Sequence, residues 1–254
     1  MKTIIKYDWM YLVRTSKLFV IGILGVLLAG LSAVTAKYFH EIMAYAFRQE
    51  GIDVEFEEAT VFESYNQFFG NFNQFYLFVV LFIAVAFFTH DKTRGHYPLI
   101  FSKPIRRSTF LVSKSLLLMG VVLASLMLSA IIFGYYTFYL FDEFAAGLFI
   151  LSILAYFVYL MLFVHVGLVF SVIMQSYMGS IAMTIIVFFV ASLLTILDWN
   201  LLAYLPIHLG NYALLVMNGN VPIQTLLITV GVGVVLIAGL IALSISLFNK
   251  KALA

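Results

Sequence analysis

Residues 144–197 read FAAGLFILSILAYFVYLMLFVHVGLVFSVIMQSYMGSIAMTIIVFFVASLLTIL, a stretch without a single Asp, Glu, Lys or Arg. As one helix it would measure roughly 80 Å at ~1.5 Å per residue, against a bilayer core of ~30 Å. It must therefore fold back as two membrane spans. Gln175, Ser176 and Gly179 place the turn within 171–180. The composition agrees: of 254 residues, 64% are hydrophobic and only 10% are charged, where a soluble domain carries about 25% charged residues. So few charges cannot solvate a protein surface, and lipid becomes the solvent for most of the chain. The absence of cysteine removes disulfides, thiolate metal sites and a cysteine nucleophile together.

Outward from this stretch, charge-free apolar runs mark further spans at 18–36, about 72–89, 115–141 and about 222–248. Pro222 stands where the last helix begins and its missing N–H is tolerated. The expected fold is an all-α integral membrane protein with six transmembrane helices in a single domain, residues 1–254. Its charges set the direction. With the N-terminus inside, Lys2, Lys6, Arg14, Lys17, Lys92, Arg94, Lys103, Arg106, Arg107, Lys114, Lys250 and Lys251 are cytoplasmic, and only Lys37 and Arg48 of the 14 basic residues fall outside. That bias orients a bundle and places both termini in the cytoplasm. The acids run the other way, with only Asp8 and Asp91 of the 12 inside.

Two segments test this topology. Val34-Thr35-Ala36 has the form of a signal-peptidase site, but the apolar run and the segment before it are long for a signal peptide, which favours an uncleaved anchor. Within the outer segment 198–221, residues 201–217 are apolar yet broken by Pro206, His208, Gly210 and Asn211. A crossing there would put Lys250 and Lys251 outside. A re-entrant hairpin or a pair of short outer-face helices fits better, because broken backbone is tolerated where protein covers it.

Three segments are expected not to span. In 1–17, a helical wheel collects Ile4, Ile5, Tyr7, Tyr11 and Leu12 on one side and Lys2, Lys6 and Lys17 on the other. This is the pattern of an amphipathic interfacial helix; a merely topogenic tail is the alternative. The outer loop, 37–71, has an acidic middle and then an aromatic stripe, with Phe62, Tyr65, Phe69 and Phe72 at helical spacing. Such a stripe forms either an interfacial belt or a gate on an exit path. The inner loop, 89–114, reads THDKTRGHYPLIFSKPIRRSTFLVSK and gathers Asp91, Lys92, Arg94, Gly95, Lys103, Pro104, Arg106 and Arg107. Topology alone needs neither this length nor this punctuation, so the loop is expected to dock a cytoplasmic partner, with anionic lipid headgroups as the competitor.

Several chemistries are missing from the sequence. No acidic or basic side chain falls within an expected span, and His165 is the sole imidazole deep in one. It is either a proton relay or a histidine bonded to a neighbouring hydroxyl or carbonyl. There is no GxxxxGK[ST] loop, no HExxH pair and no GxSxG elbow, so no ATPase or intramembrane protease motif is present, no metal site is expected, and the chain reads as a non-enzyme. It reads as a conduit powered from elsewhere.

The inner loop, with Asp91, Gly95, Ser102-Lys103-Pro104, Arg106-Arg107 and Lys114, resembles the segment after the second span of type-2 ABC exporter permeases. In that family an acidic residue, a glycine, a proline and one or two arginines precede a lysine that opens the third span. The stretch Thr60-Val61-Phe62-Glu63-Ser64-Tyr65-Asn66-Gln67-Phe68-Phe69, followed by Asn71 and Gln74, resembles the family's bacterial members. The surface helix, six spans, broken outer segment and short basic tail extend the likeness over nearly the whole chain.

The resemblance implies the permease subunit of an ATP-driven exporter in a bacterial cytoplasmic membrane. The permease would be a homodimer, or a heterodimer with a second permease, bound to cytoplasmic ABC ATPase subunits that hold the ATP and Mg. No cofactor sits in this chain, and no nucleic acid is among its partners. By the same analogy, Asp91 to Lys114 carries the coupling helix. The aromatic content suits an amphipathic or hydrophobic cargo, such as a peptide, lipid or antibiotic, although aromatics are also common lipid-facing filler. A non-transporting anchor or assembly adaptor is the alternative function, and a proton-coupled carrier using His165 is a further one.

Overall fold

Every element is helical in the computed structural model, which describes residues 2–49, 58–102, 105–195 and 202–250. A short helix, α1 (Lys2–Arg14), turns at Ser16 into the long α2 (Lys17–Gln49). Next come α3 (Val61–Asn71), a π-helical turn (Phe72–Tyr76) and α4 (Leu77–Thr93), which run as one rod. A small helix, α5 (Tyr97–Phe101), leads to α6 (Arg107–Phe141), α7 (Ala146–Ile173) and α8 (Tyr177–Leu194). After a broken segment containing α9 (Leu209–Leu215), the last described element is α10 (Ile223–Lys250). Among the described residues, six helices are long and apolar enough to cross a membrane: Lys17–Gln49, Val61–Thr93, Arg107–Phe141, Ala146–Ile173, Tyr177–Leu194 and Ile223–Lys250. The charge-free stretch therefore gives two spans, with its turn at 174–176 inside the expected window.

Helix ends depart from expectation in a consistent direction. The outer loop was expected from residue 37, but α2 continues to Gln49. Nothing in 37–49 breaks a helix, since it contains neither proline nor glycine. At about 50 Å, 33 residues exceed the ~30 Å core, so the helix tilts or projects. The second span begins at Val61, not Phe72. There Thr60 and Glu63 form a reciprocal capping box: the Thr60 N–H donates to Glu63 Oε2 at 3.1 Å and the Glu63 N–H to Thr60 Oγ1 at 3.4 Å. The third span begins at Arg107, not at residue 115, and this draws Lys114 into a helix. Most of the acidic middle of the loop, 50–57, lies outside the described residues, as does Asp198.

The most buried span is α7, with 67% of its apolar window covered, against 22% for α8 and α10. It is the axis around which α4, α6, α8, α9 and α10 pack. Near its start, the aromatic stripe of the outer segment packs inward. Tyr65, Phe68, Phe69 and Phe72 are all at most 3% exposed and stack with Phe133, Phe149 and Tyr156. The Tyr65 hydroxyl accepts the Ala145 N–H at 3.0 Å just before α7 begins. Tyr65, Phe69 and Phe72 therefore form neither a lipid-facing belt nor an exposed lip; the stripe facing them on α6 and α7 is equally aromatic, and the rings pack against one another. Phe62 alone stays half-buried at the rim.

The segment after α8 is broken backbone, as its Pro and Gly content suggests. Two 3₁₀ turns (Leu202–Tyr204 and Pro206–His208), α9 and another 3₁₀ turn (Val216–Asn218) follow one another. Leu209, Gly210, Ala213 and Val216 are buried against the bundle. Gly219, at φ +75°, supplies the left-handed residue that releases the chain into α10.

The α2–α6 contact depends on Gly25. A Cβ there would overlap the Ser129 hydroxyl and come within 3.2 Å of Tyr76 and of Ser125. Those groups form a chain in which the Tyr76 O–H donates to Ser125 Oγ at 2.9 Å and the Ser125 O–H to the Ile21 carbonyl at 3.1 Å. Gly25→Val is expected to cost about 1–3 kcal/mol by overpacking. Thermal unfolding in detergent checks this against Gly22→Ala, whose added methyl meets no atom within 4 Å and should leave the melting temperature unchanged or raised.

Candidate functional site

Along α1, Ile4, Asp8 and Leu12 recur every fourth residue, so an acid occupies the centre of the buried apolar stripe. Along α6, Phe110, Leu111, Lys114 and Leu118 share one buried face, so a lysine does the same there. Asp91 lies near the end of α4, likewise buried. Helix packing brings the three together. Lys114 Nζ lies 2.6 Å from Asp91 Oδ2 and 3.1 Å from Asp8 Oδ1, and it donates to the Phe87 carbonyl at 3.3 Å. The two carboxylate contacts are ion pairs and the carbonyl contact is a hydrogen bond. The Phe87 and Phe110 rings add cation–π contacts at 4.4 and 5.2 Å. Side-chain exposure is at most 1% for all three residues.

This is a buried ionic cluster with two acids to one base. Such a cluster is costly to desolvate and more costly to break. Burial pushes the Asp8 carboxyl up to about 6, against the opposing pull of the Lys114 ammonium. Asp8 Oδ2 is buried without a hydrogen-bond partner. The shorter contact belongs to Asp91, whose other oxygen, Oδ1, accepts the Tyr7 O–H at 3.2 Å and lies 3.5 Å from His96 Nδ1. Burial, then the neighbouring Asp91 charge, raises the Tyr7 hydroxyl to about 12. The His90 ring lies on Tyr11 with centroids 4.0 Å apart, and its centroid is 5.7 Å from that of His96. Gly95, at φ +67°, makes the tight turn that carries the chain from Asp91 back to His96.

The other residues of the inner loop divide in two. Lys92 donates to the Met174 and Ser171 carbonyls, where the end of α7 leaves acceptors unpaired. Arg107 does the same for α10, donating to the Phe248 and Asn249 carbonyls at 2.9 and 3.2 Å. Both fasten one helix to another within the bundle. Arg94 and Arg106 are exposed. Lys103 and Pro104 lie outside the described residues. The expectation that no acidic or basic side chain lies within a span is corrected by Asp91 and Lys114, which sit inside spanning-length helices at the basic end of the bundle.

His165 is fully buried on α7. Its Nδ1 lies 2.7 Å from the Met161 carbonyl and its Nε2 2.6 Å from Ser115 Oγ. A carbonyl only accepts, so Nδ1 carries the proton and Nε2 accepts the Ser115 O–H. Both ring nitrogens are engaged, as in the hydroxyl-and-carbonyl reading.

Sequence reasoning passed over Asp8, Lys114, Tyr7, His90 and His96. The usable signal was the position of Asp8 and Lys114 inside apolar stripes of period four, where a charge needs a partner. In comparisons with known proteins, the chain matches no family model, no curated protein and no solved structure.

Lys114→Met leaves Asp8 and Asp91 facing each other without a counter-charge and is expected to cost about 3–5 kcal/mol in stability. Asp8→Asn should be neutral or stabilising at pH 8. Because the folded-state Asp8 value of about 6 lies above the ordinary 3.8, its favourable contribution is full below about pH 4 and is lost as pH rises through about 6. The melting temperature of Asp8→Asn relative to wild type should therefore climb across that window. A flat difference, or a Lys114→Met protein that melts like wild type, would contradict this account of the cluster.

Proposed function

We propose that the chain is the membrane-spanning permease subunit of an ATP-driven exporter, powered by a separate cytoplasmic ATPase that binds at the basic end. The observation that carries this reading is how the inner loop is fastened. Asp91 and Lys92 on α4, with Lys114 and Arg107 on α6, tie the loop's two ends to α1, α7 and α10. A force applied to the loop would reach all these helices and would not be lost in a slack connection. Exposed Arg94, Arg106 and Leu99 offer a partner surface on the same loop. The sequence supplies no phosphate-binding loop of its own, which accords with an external energy source.

The cargo class follows from a second feature. An apolar cleft of about 510 Å³ opens between α1, α2 and α6, lined by residues including Ile5, Trp9, Gly22, Gly120 and Leu128. Its small residues leave room beside a chain-sized apolar wall, which supports an amphipathic or hydrophobic cargo. A homodimer, or a heterodimer with a second permease, in a bacterial cytoplasmic membrane with both termini inside completes the proposal.

The test is co-purification with the ATPase, followed by cargo-stimulated ATP hydrolysis. Arg94→Glu/Arg106→Glu should abolish partner binding while leaving the melting temperature unchanged, because both side chains are exposed. Arg107→Glu should lower the melting temperature as well, since it removes the cap on α10. His165→Ala should leave transport per folded molecule intact; loss of transport with normal folding would favour the proton-coupled carrier. Full partner binding and hydrolysis by the Arg94→Glu/Arg106→Glu protein would overturn the assignment of the loop. A chain that purifies with no ATPase would favour the assembly adaptor.

A further inference from the structure

We propose that His90, Asp91 and His96 form a binding site for a divalent transition metal of the zinc class, at the basic end of the bundle. The inference is independent of the exporter reading. One ligand atom from each of the three lies within 4.8 Å of the others. Around a tetrahedral Zn²⁺ with bonds of ~2.0–2.1 Å, ligand atoms stand roughly 3.3–3.4 Å apart. Asp91 Oδ1 and His96 Nδ1, at 3.5 Å, already meet that spacing. Tyr7 Oη lies 3.2 Å from the first and 3.4 Å from the second, which places a hydroxyl at a further corner. Closing the site needs the three ligand atoms, now within 4.8 Å of one another, to draw together to that spacing.

The surroundings suit a cation held by nitrogen and oxygen. Asp91 meets Lys114 through Oδ2 and turns Oδ1 toward the imidazoles, so one carboxylate serves both charges. Asp8 and Asp91 together carry one negative charge more than Lys114 supplies, which offsets the charge a metal would bring. The Tyr11 ring lies against His90, and the glycine turn at Gly95 returns the chain so that His96 stands beside the acid. An open cleft of about 380 Å³, with Tyr7 and His96 in its wall beside Ile4, Leu99 and Phe110, gives an entry path. Two imidazoles and one carboxylate select zinc-like metals over Mg²⁺ and Ca²⁺, which prefer all-oxygen shells. The expectation of a metal-free chain came from the lack of HExxH and cysteine signatures, and a site spread across a turn carries neither.

The test uses the full-length protein in detergent, stripped with a chelator and titrated with Co²⁺ alone. One Co²⁺ per chain should bind with the visible bands of tetrahedral N/O coordination, and Zn²⁺ should displace it. His96→Asn and His90→Ala should each weaken binding by at least the roughly 10–100-fold that loss of an outer-shell partner costs. Tyr7→Phe should perturb the spectrum while leaving the stoichiometry at one, and His40→Ala, on the far side of the bundle, should change nothing. His96 is partly exposed at the start of a short helix, so His96→Asn should fold normally, as its melting temperature without metal will show. No saturable Co²⁺ binding by the wild type, or equal binding by a folded His90→Ala/His96→Asn protein, overturns the site.

Discussion

Lys114 holds a full charge where water cannot reach it, and the architecture of the basic end follows from that constraint. A buried ammonium needs oxygen partners, and here they come from α1 and α4: Asp8 and Asp91 as ion pairs and the Phe87 carbonyl as a hydrogen-bond acceptor. Removing Lys114 would leave both acids without a counter-charge in a low-dielectric interior. The short amphipathic helix is therefore more than a surface float. Its apolar stripe seats it, and Asp8 in the middle of that stripe fixes its register against α6. Nonspecific lipid attraction would tolerate rotation about the helix axis; an ion pair at 3.1 Å does not.

The opposite end is held by different physics. Tyr65, Phe68, Phe72, Phe133 and Phe149 fill the space between α3, α6 and α7 with stacked and edge-on rings. Such contacts are uncharged, prefer offset-stacked or edge-on geometry, and contribute about 0.5–1.5 kcal/mol per pair beyond burial. Between the two ends, the hydroxyl chain from Tyr76 through Ser125 to the Ile21 carbonyl ties α2 and α6 to the rod that carries the aromatic stripe. One end is specified by a few buried ion pairs, the other by many ring contacts.

The fold was legible because the signal was long and unopposed. A charge-free stretch such as 144–197 admits few arrangements in a bilayer, and the turn at 174–176 falls at its only polar cluster. The boundaries were less legible because charged residues are poor evidence of where a helix stops. Lys37 and Arg48 sit in α2, and Arg107 and Lys114 sit in α6, since helices project past the apolar core and carry charges with them. The candidate site was hidden for the same reason. Asp91 and Lys114 each read as a loop charge, and only helix packing shows that they face one another. The aromatic stripe had the right period, but period alone does not say whether the facing surface is lipid or another aromatic helix. No local pattern near Tyr65 announces Phe133 or Phe149.

These two kinds of packing bear on how the bundle could move under the proposed function. A push on the inner loop meets buried ion pairs that cannot stretch without exposing charge, so the basic end would shift as a unit. The rings at the aromatic end carry no charge, so a shift among them would expose none. Between them, the α3–α4 rod is continuous except at the π-helical turn Phe72–Tyr76, where the regular hydrogen-bond ladder is already interrupted. Turns of this kind are where long helices bend. Phe72 and Tyr76 are both fully buried there, so any bend would be felt directly by Tyr156 and by the Ser125 hydroxyl. Under the proposed function, this turn is therefore the place where strain applied from the basic side would be relieved.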